Sequence, residues 1–189
     1  MFHQYPEREV VTVKDWIIAS FQILIQRDGD LLRPESIPTI HKIEGQKDLN
    51  RELHETTINH RLAVHLEYLI EKFGITGYHV DIEYNRFINN RKLVQSLQTG
   101  KLIEVRPDII VHKRTRLNEA TPHFLVVEAK KYELNDKDRN HIKDIMKDDN
   151  YRYKYGLLVS YYEEPTAIQS KLLTLRDLRF VENDIIVPK

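Results

Sequence analysis

The sequence predicts an α/β fold in which a mixed sheet lies between helices. Two short apolar runs, residues 109–111 (IIV) and 124–127 (FLVV), read as buried strands. Stretches with apolar residues at helical spacing stand on either side of them, and a third apolar run, residues 155–162 (YGLLVSYY), follows the second. The order helix, three strands, helix, strand favours a sheet covered by helices.

Taken in order, residues 13–26 carry Val13, Trp16, Ile17, Phe21, Leu24 and Ile25 on one broad helical face, and Arg27-Asp28-Gly29-Asp30 stops that helix. Trp16 and Phe21 look exposed, which suits a dimer contact or core packing, and core packing is favoured. Residues 33–50, with Pro34, Pro38 and Gly45, read as a loop or linker. Residues 1–48 therefore form an N-terminal helical extension, and 49–189 the main domain. A long helix over about 50–73, ended by Gly74, presents Ile58, Leu62, Leu66 and Leu69 as its stripe. Three residues back, Glu55 projects from the same buried face, whereas Glu67 lies off it beside His60 and Glu71.

Residues 78–84 alternate Val80, Ile82 and Tyr84 with polar side chains, as a strand with one wet face does. A basic loop, NRFINNRK, and a less defined segment fill residues 85–105, and a polar link over 113–123 joins the two central strands. Residues 135–148 read as an exposed helix with Ile142, Ile145 and Met146 at helical spacing. Residues 166–176 read as a helix with Ile168, Leu172, Leu173 and Leu175, and 180–187 as a final strand or hairpin.

The chain has 189 residues, which suits one domain with a terminal extension, and 41% of them are hydrophobic, enough for a core. Lys+Arg and Asp+Glu both number 29, which argues against a wholesale nucleic-acid coat but not against a basic groove on one face. With no cysteine, disulfides and thiolate zinc sites are excluded, and a reducing cytoplasm is the natural setting. The opening MFHQYPEREV is not a secretory signal, and the apolar stretch over 16–25 is too short to span a bilayer. A soluble cytoplasmic protein with no membrane partner is expected.

The candidate site lies at the ends of the two central strands. Asp108 opens the first, and Glu128 and Lys130 close the second. Side chains alternate along a strand, so Glu128 and Lys130 share a face, roughly 7 Å apart along the chain. An unpaired buried charge is costly, so three charges gathered at such strands suggest a function. Asp108 and Glu128 offer hard anionic oxygens suited to Mg²⁺ or Mn²⁺, and the Ala129 carbonyl is a further ligand candidate. Lys130 is placed to hold a water or offset charge on a phosphate, and Glu55 to reach the same cation.

Arg106-Pro107-Asp108 followed by Glu128-Ala129-Lys130 resembles the PD-(D/E)xK nuclease superfamily. The stretch HETTINHRLAVHLEYL, followed by YHVDIEYNR, is also similar to small bacterial nuclease-like proteins of that superfamily. The resemblance implies a restriction-endonuclease-like αβββαβ core over about 50–162, leaving 1–48 and 165–189 outside it. It implies Mg²⁺-dependent hydrolysis of DNA, with Asp108 and Glu128 as ligands, Lys130 as the catalytic lysine and Glu55 assisting the metal. The residues do not separate DNA from RNA, and cutting both strands with one site per chain favours a homodimer. The alternatives are a non-catalytic nucleic-acid-binding or assembly module that retains the nuclease fold, and a subunit that needs a partner.

Each candidate also has a plainer reading. Glu128 and Lys130 could be a surface ion pair, Asp108 a strand-start residue after Pro107, and Glu55 an acid favoured near a helix start. Glu52 and Glu67 are lesser rivals for the helix acid. His54-Glu55 begins an HExxH pattern, but Ile58 stands where the second histidine belongs, so a zinc-protease helix is excluded. His54 and His65 are too far apart for one metal. His112 and His123 flank the strand link, where solvated loop histidines are favoured over phosphate contacts. Lys131 points away from Lys130 as a solvated or DNA-facing charge. Arg86, Arg91, Lys92, Lys113, Arg114 and Arg116 cluster as phosphate contacts or as solvated loops, with nothing to choose between them. Tyr151, Tyr153 and Tyr155 suit base stacking or, preferably, packing.

Overall fold

The computed structural model describes residues 7–32, 49–72, 77–84, 86–87, 90–114 and 123–189. In chain order these form helices α1 (Glu7–Asp28) and α2 (Leu49–Lys72), then strand β1 (His79–Ile82). Two small ribbons follow, β2–β3 (Arg86–Phe87, Asn90–Arg91) and β4–β5 (Leu93–Gln95, Leu102–Glu104). Next come β6 (Ile109–His112), β7 (Leu125–Lys130), α3 (Asp136–Lys147), β8 (Tyr155–Glu164), β9 (Ala167–Arg176) and β10 (Arg179–Pro188).

The fold is α/β, with a mixed six-stranded sheet in the order β1-β6-β7-β8-β9-β10. Only the β7–β8 pair is parallel, and α3 makes the crossover that a parallel pair requires. Alternation along the central strands sends Ile109, Val111, Leu125, Val127 and Ala129 into a core with α1 and α2, and Ile110 and Val126 into a second core. That second core is closed by Ile142, Ile145 and Met146 of α3 and by Val94 of the β4–β5 ribbon.

The stripe on α2 is as periodicity predicts, with Ile58, Leu62, Leu66 and Leu69 all buried. Trp16 and Phe21 of α1 are fully buried, so they are core residues rather than a surface. Asp28, at the end of α1, holds α2 through Arg61 and His65, each at 2.7 Å. Helix α3 begins in a capping box, in which the Asn135 side chain accepts from the Asp138 N–H and the Asp138 side chain from the Asn135 N–H. It is not simply exposed, because its apolar residues press on β8. A Cβ at Gly156 would lie 2.6 Å from Met146 Sδ, so only glycine admits that approach.

Residues 166–176 are not a helix. They form β9, paired along its length with β8 and β10. A strand between two others is buried on both faces, so Ile168 and Leu172 enter one core and Leu173 the other. Their spacing imitates a helical stripe for that reason. Residues 180–187 lie in one final strand, β10, whose hairpin partner is β9, the turn closing at Asp177-Leu178 with φ of 45° and 65°. Among the described residues no helix is long and apolar enough to cross a membrane.

Candidate active site

Register assembles the site. Ile109 of β6 faces Val127 of β7, so Asp108, just before β6, falls beside the far end of β7. There its Oδ2 accepts the Ala129 N–H at 2.8 Å. Val127 and Ala129 face the α1/α2 core, so Glu128 and Lys130 point to the α3 side. Lys130 Nζ donates to Glu128 Oε1 at 2.7 Å and lies 3.7 Å from Asp108 Oδ2 and 3.3 Å from the Ala129 carbonyl. From α3, His141 Nδ1 stands 3.4 Å from Glu128 Oε2. From α2, Glu55 Oε2 accepts the Lys131 N–H at 2.9 Å. One turn further along α2, the Asn59 side chain accepts from the buried Tyr161 hydroxyl at 2.8 Å and fixes the helix against β8.

These charges do not balance. Burial raises the Asp108 carboxyl to about 7, and repulsion from Glu128 and Glu55 adds to the rise against Lys130 and the Ala129 N–H. Glu128 is also penalised by burial, but His141 and Lys130 outweigh that and hold it below the usual carboxylate range. Lys130 loses by burial and gains more from Asp108 and Glu128, so it stays firmly protonated. Glu128 is thus the ionised member, and Asp108 the one that gives up its charge first. Among the described residues no three His, Cys, Asp or Glu side chains gather as a ready metal cage.

No protein-family model, curated protein or solved structure matches the chain.

All the predicted site residues, Asp108, Glu128, Ala129, Lys130 and Glu55, meet at this point. Glu128 is only 8% exposed, so its pair with Lys130 is not a surface one. Because α2 begins at Leu49, Glu55 lies beyond the first turn and is not a cap. Glu67 is exposed, and the side chains of Glu52 and His54 lie outside the described residues. His141 was not among the predicted residues. The signal for it was helix phase, since His141, Ile142 and Ile145 share the inner side of α3.

Other expectations are corrected. His112 is buried and His123 half-buried rather than free in a solvated loop, because Asp81 Oδ2 binds His112 Nε2 at 2.6 Å and His123 packs its ring 5.0 Å from Tyr153. Burial pushes His123 down to about 4. Among the described residues the basic cluster does not form one free cationic face. Arg91 pairs with Glu104, Arg114 with Asp81, and Lys113 stands over Tyr78. Lys92 is 2% exposed and enclosed by Tyr84, Tyr151 and Tyr153, with Nζ 5.2–5.7 Å from their ring centres. The Arg86 side chain and Arg116 lie outside the described residues. Tyr151, Tyr153 and Tyr155 are buried packing residues.

Proposed function

We propose that the chain is a metal-dependent nuclease of the PD-(D/E)xK, restriction-endonuclease-like superfamily that hydrolyses DNA phosphodiester bonds. The observation that carries this reading is the convergence of two carboxylates on one ammonium at strand ends, Glu128 at 2.7 Å and Asp108 at 3.7 Å from Lys130 Nζ. The order α2-β1-β6-β7-α3-β8, with β7 and β8 parallel, supports it as the arrangement that the motif resemblance implies.

The donor set fits Mg²⁺ or Mn²⁺. Asp108 and Glu128 would hold the ion, with the Ala129 carbonyl beside them, and Mg²⁺ commonly takes one or two carboxylates and keeps several waters. Three carboxyl groups, Asp108, Glu128 and Glu55, stand against Lys130 here, and repulsion from the other two adds to the rise that burial imposes on Asp108. Held there, an ion would supply a water of lowered pKa and polarise the phosphate. Lys130 orients the attacking water and screens charge on the scissile phosphate. Glu55 assists by fixing the backbone immediately after Lys130 and adding negative charge to the metal side.

The test is cleavage of plasmid DNA with Mg²⁺ or Mn²⁺ and its loss in Lys130→Ala, expected to be about 10²–10³-fold on the scale of a lost transition-state donor. Lys130→Ala cutting as fast as the parent would refute the mechanism. The second reading, a non-catalytic module retaining the fold, is favoured by the short Lys130–Glu128 pair, which neutralises part of the site by itself. Calorimetric titration of Mn²⁺ separates the two, because a binding module has no use for an ion at Asp108 and Glu128.

A further inference from the structure

Just past Lys130 the chain exposes an aromatic surface flanked by cations. Tyr132 is 43% exposed, and its ring lies 5.9 Å from that of Tyr162, tilted by 41°. Lys131 Nζ stands 5.7 Å from the Tyr132 ring centre and 5.9 Å from that of Tyr162, and Lys189 Nζ stands 4.9 Å from the latter.

The group is held in place. The Lys131 N–H is bound by Glu55, and the Tyr132 carbonyl accepts from the Ser160 hydroxyl at 2.6 Å, so the backbone is fixed at both residues. Tyr162 is buried and donates its hydroxyl to the Leu31 carbonyl. The lower ring is therefore anchored to the turn after α1, and the upper, partly exposed ring packs beside it, with Lys131 Nζ over both. An aromatic face alone would also suit a sugar, but two ammonium groups set over these rings call for a polyanion.

We propose that Tyr132 is a stacking platform for one unpaired base of a nucleic-acid strand, with Lys131 and Lys189 meeting the adjacent phosphates. It takes the substrate as single-stranded, or opened, where the chain leaves β7 two residues past Lys130. This rests on the nuclease reading for its direction toward Lys130, though the binding itself does not. Duplex bases are stacked on one another and offer no free face, whereas every unpaired base has one.

The experiment measures fluorescence polarisation of a labelled mixed-sequence oligodeoxynucleotide, single-stranded or annealed to its complement, in chelator so that nothing is cut. Stacking on one ring predicts that Tyr132→Leu binds the single strand about tenfold more weakly while Tyr132→Phe binds as the parent does. Duplex binding should be equal in all three. Lys131→Gln should lower the salt dependence of single-strand binding by about one phosphate contact. The proposal is overturned if Tyr132→Leu binds the single strand as the parent does, if Tyr132→Phe loses as much as Tyr132→Leu, or if the parent binds duplex only. Cleavage of the same oligonucleotide with Mg²⁺ separates the two readings. Tyr132-dependent binding without cleavage sinks the nuclease and leaves the platform standing. Cleavage of single strands unaffected by Tyr132→Leu does the reverse.

Discussion

Replacing Asp108 by asparagine should make the protein more stable while destroying the site. The carboxyl is moved by burial and by Glu128 from 3.8 to about 7, which corresponds to about 4 kcal/mol against the ionised form. That figure is an upper bound, since the side chain is 20% exposed. Asparagine keeps an oxygen to accept the Ala129 N–H but adds an amide that needs a partner, at a cost of about 1–3 kcal/mol where it lacks one. The net gain is about 2 kcal/mol. Because the folded value lies above the unfolded one, the parent's contribution from Asp108 is fully present at acid pH and is lost as pH rises through about 7. The advantage of Asp108→Asn is thus largest at about pH 8 and fades toward about pH 4. Urea unfolding in chelator should show the midpoint moving up by about 1 M at the higher pH. Adding Mg²⁺ at about ten times its Kd should then stabilise the parent by about 1.4 kcal/mol and leave the variant unchanged. A variant no more stable than its parent at about pH 8, or a gain that does not shrink on acidification, would refute the charge accounting.

Burial pushes Lys92 from 10.5 down to about 8, so parent stability should rise with pH across that window, where the unfolded chain still holds the proton. Lys92→Met should flatten the rise and stabilise the fold by about 1–2 kcal/mol near neutral pH, less than desolvation alone implies because three tyrosine rings already face the ammonium. Leu178 sits at φ 65° in the two-residue β9–β10 turn, so Leu178→Gly should relieve strain and raise Tm by roughly 2–4 °C in a thermal melt. Gly156→Ala should cost about 1–3 kcal/mol in urea unfolding, because the new methyl meets Met146 Sδ at 2.6 Å.

The strands that carry the site were legible because they are short, apolar and ended by charges, a pattern that solvated loops do not produce. Glu55 was legible through its phase with Ile58 and Leu62, since both phase and burial are set by one helix packing on one sheet. Strand β9 was not, because burial on both faces erases the alternation that marks a strand. The β4–β5 ribbon has three residues in each strand, too few for a period to show. Lys92 was misread for another reason. A cation among polar neighbours in sequence looks solvated, and the rings that enclose it come from residues 84, 151 and 153, brought together only by the sheet.

The bond from the Ala129 N–H to Asp108 links the fold to the site. It extends the β6–β7 ladder past its last paired residues and at the same time delivers a carboxylate to the side of Lys130. A one-residue slip of β6 would exchange the side chains it sends into the two cores and carry Asp108 away from Ala129 together. The register therefore also sets where Asp108 stands relative to Lys130. Helices α2 and α3 add Glu55 and His141 from the two sides of the sheet, each one turn or less from residues buried in the cores. Glu55, Glu128, Lys130 and His141 are thereby held by regular structure and Asp108 by its bond to the Ala129 N–H, which is the support that a site tolerant of only small displacements needs. The surplus of negative charge is then a cost that the packed sheet around it can carry.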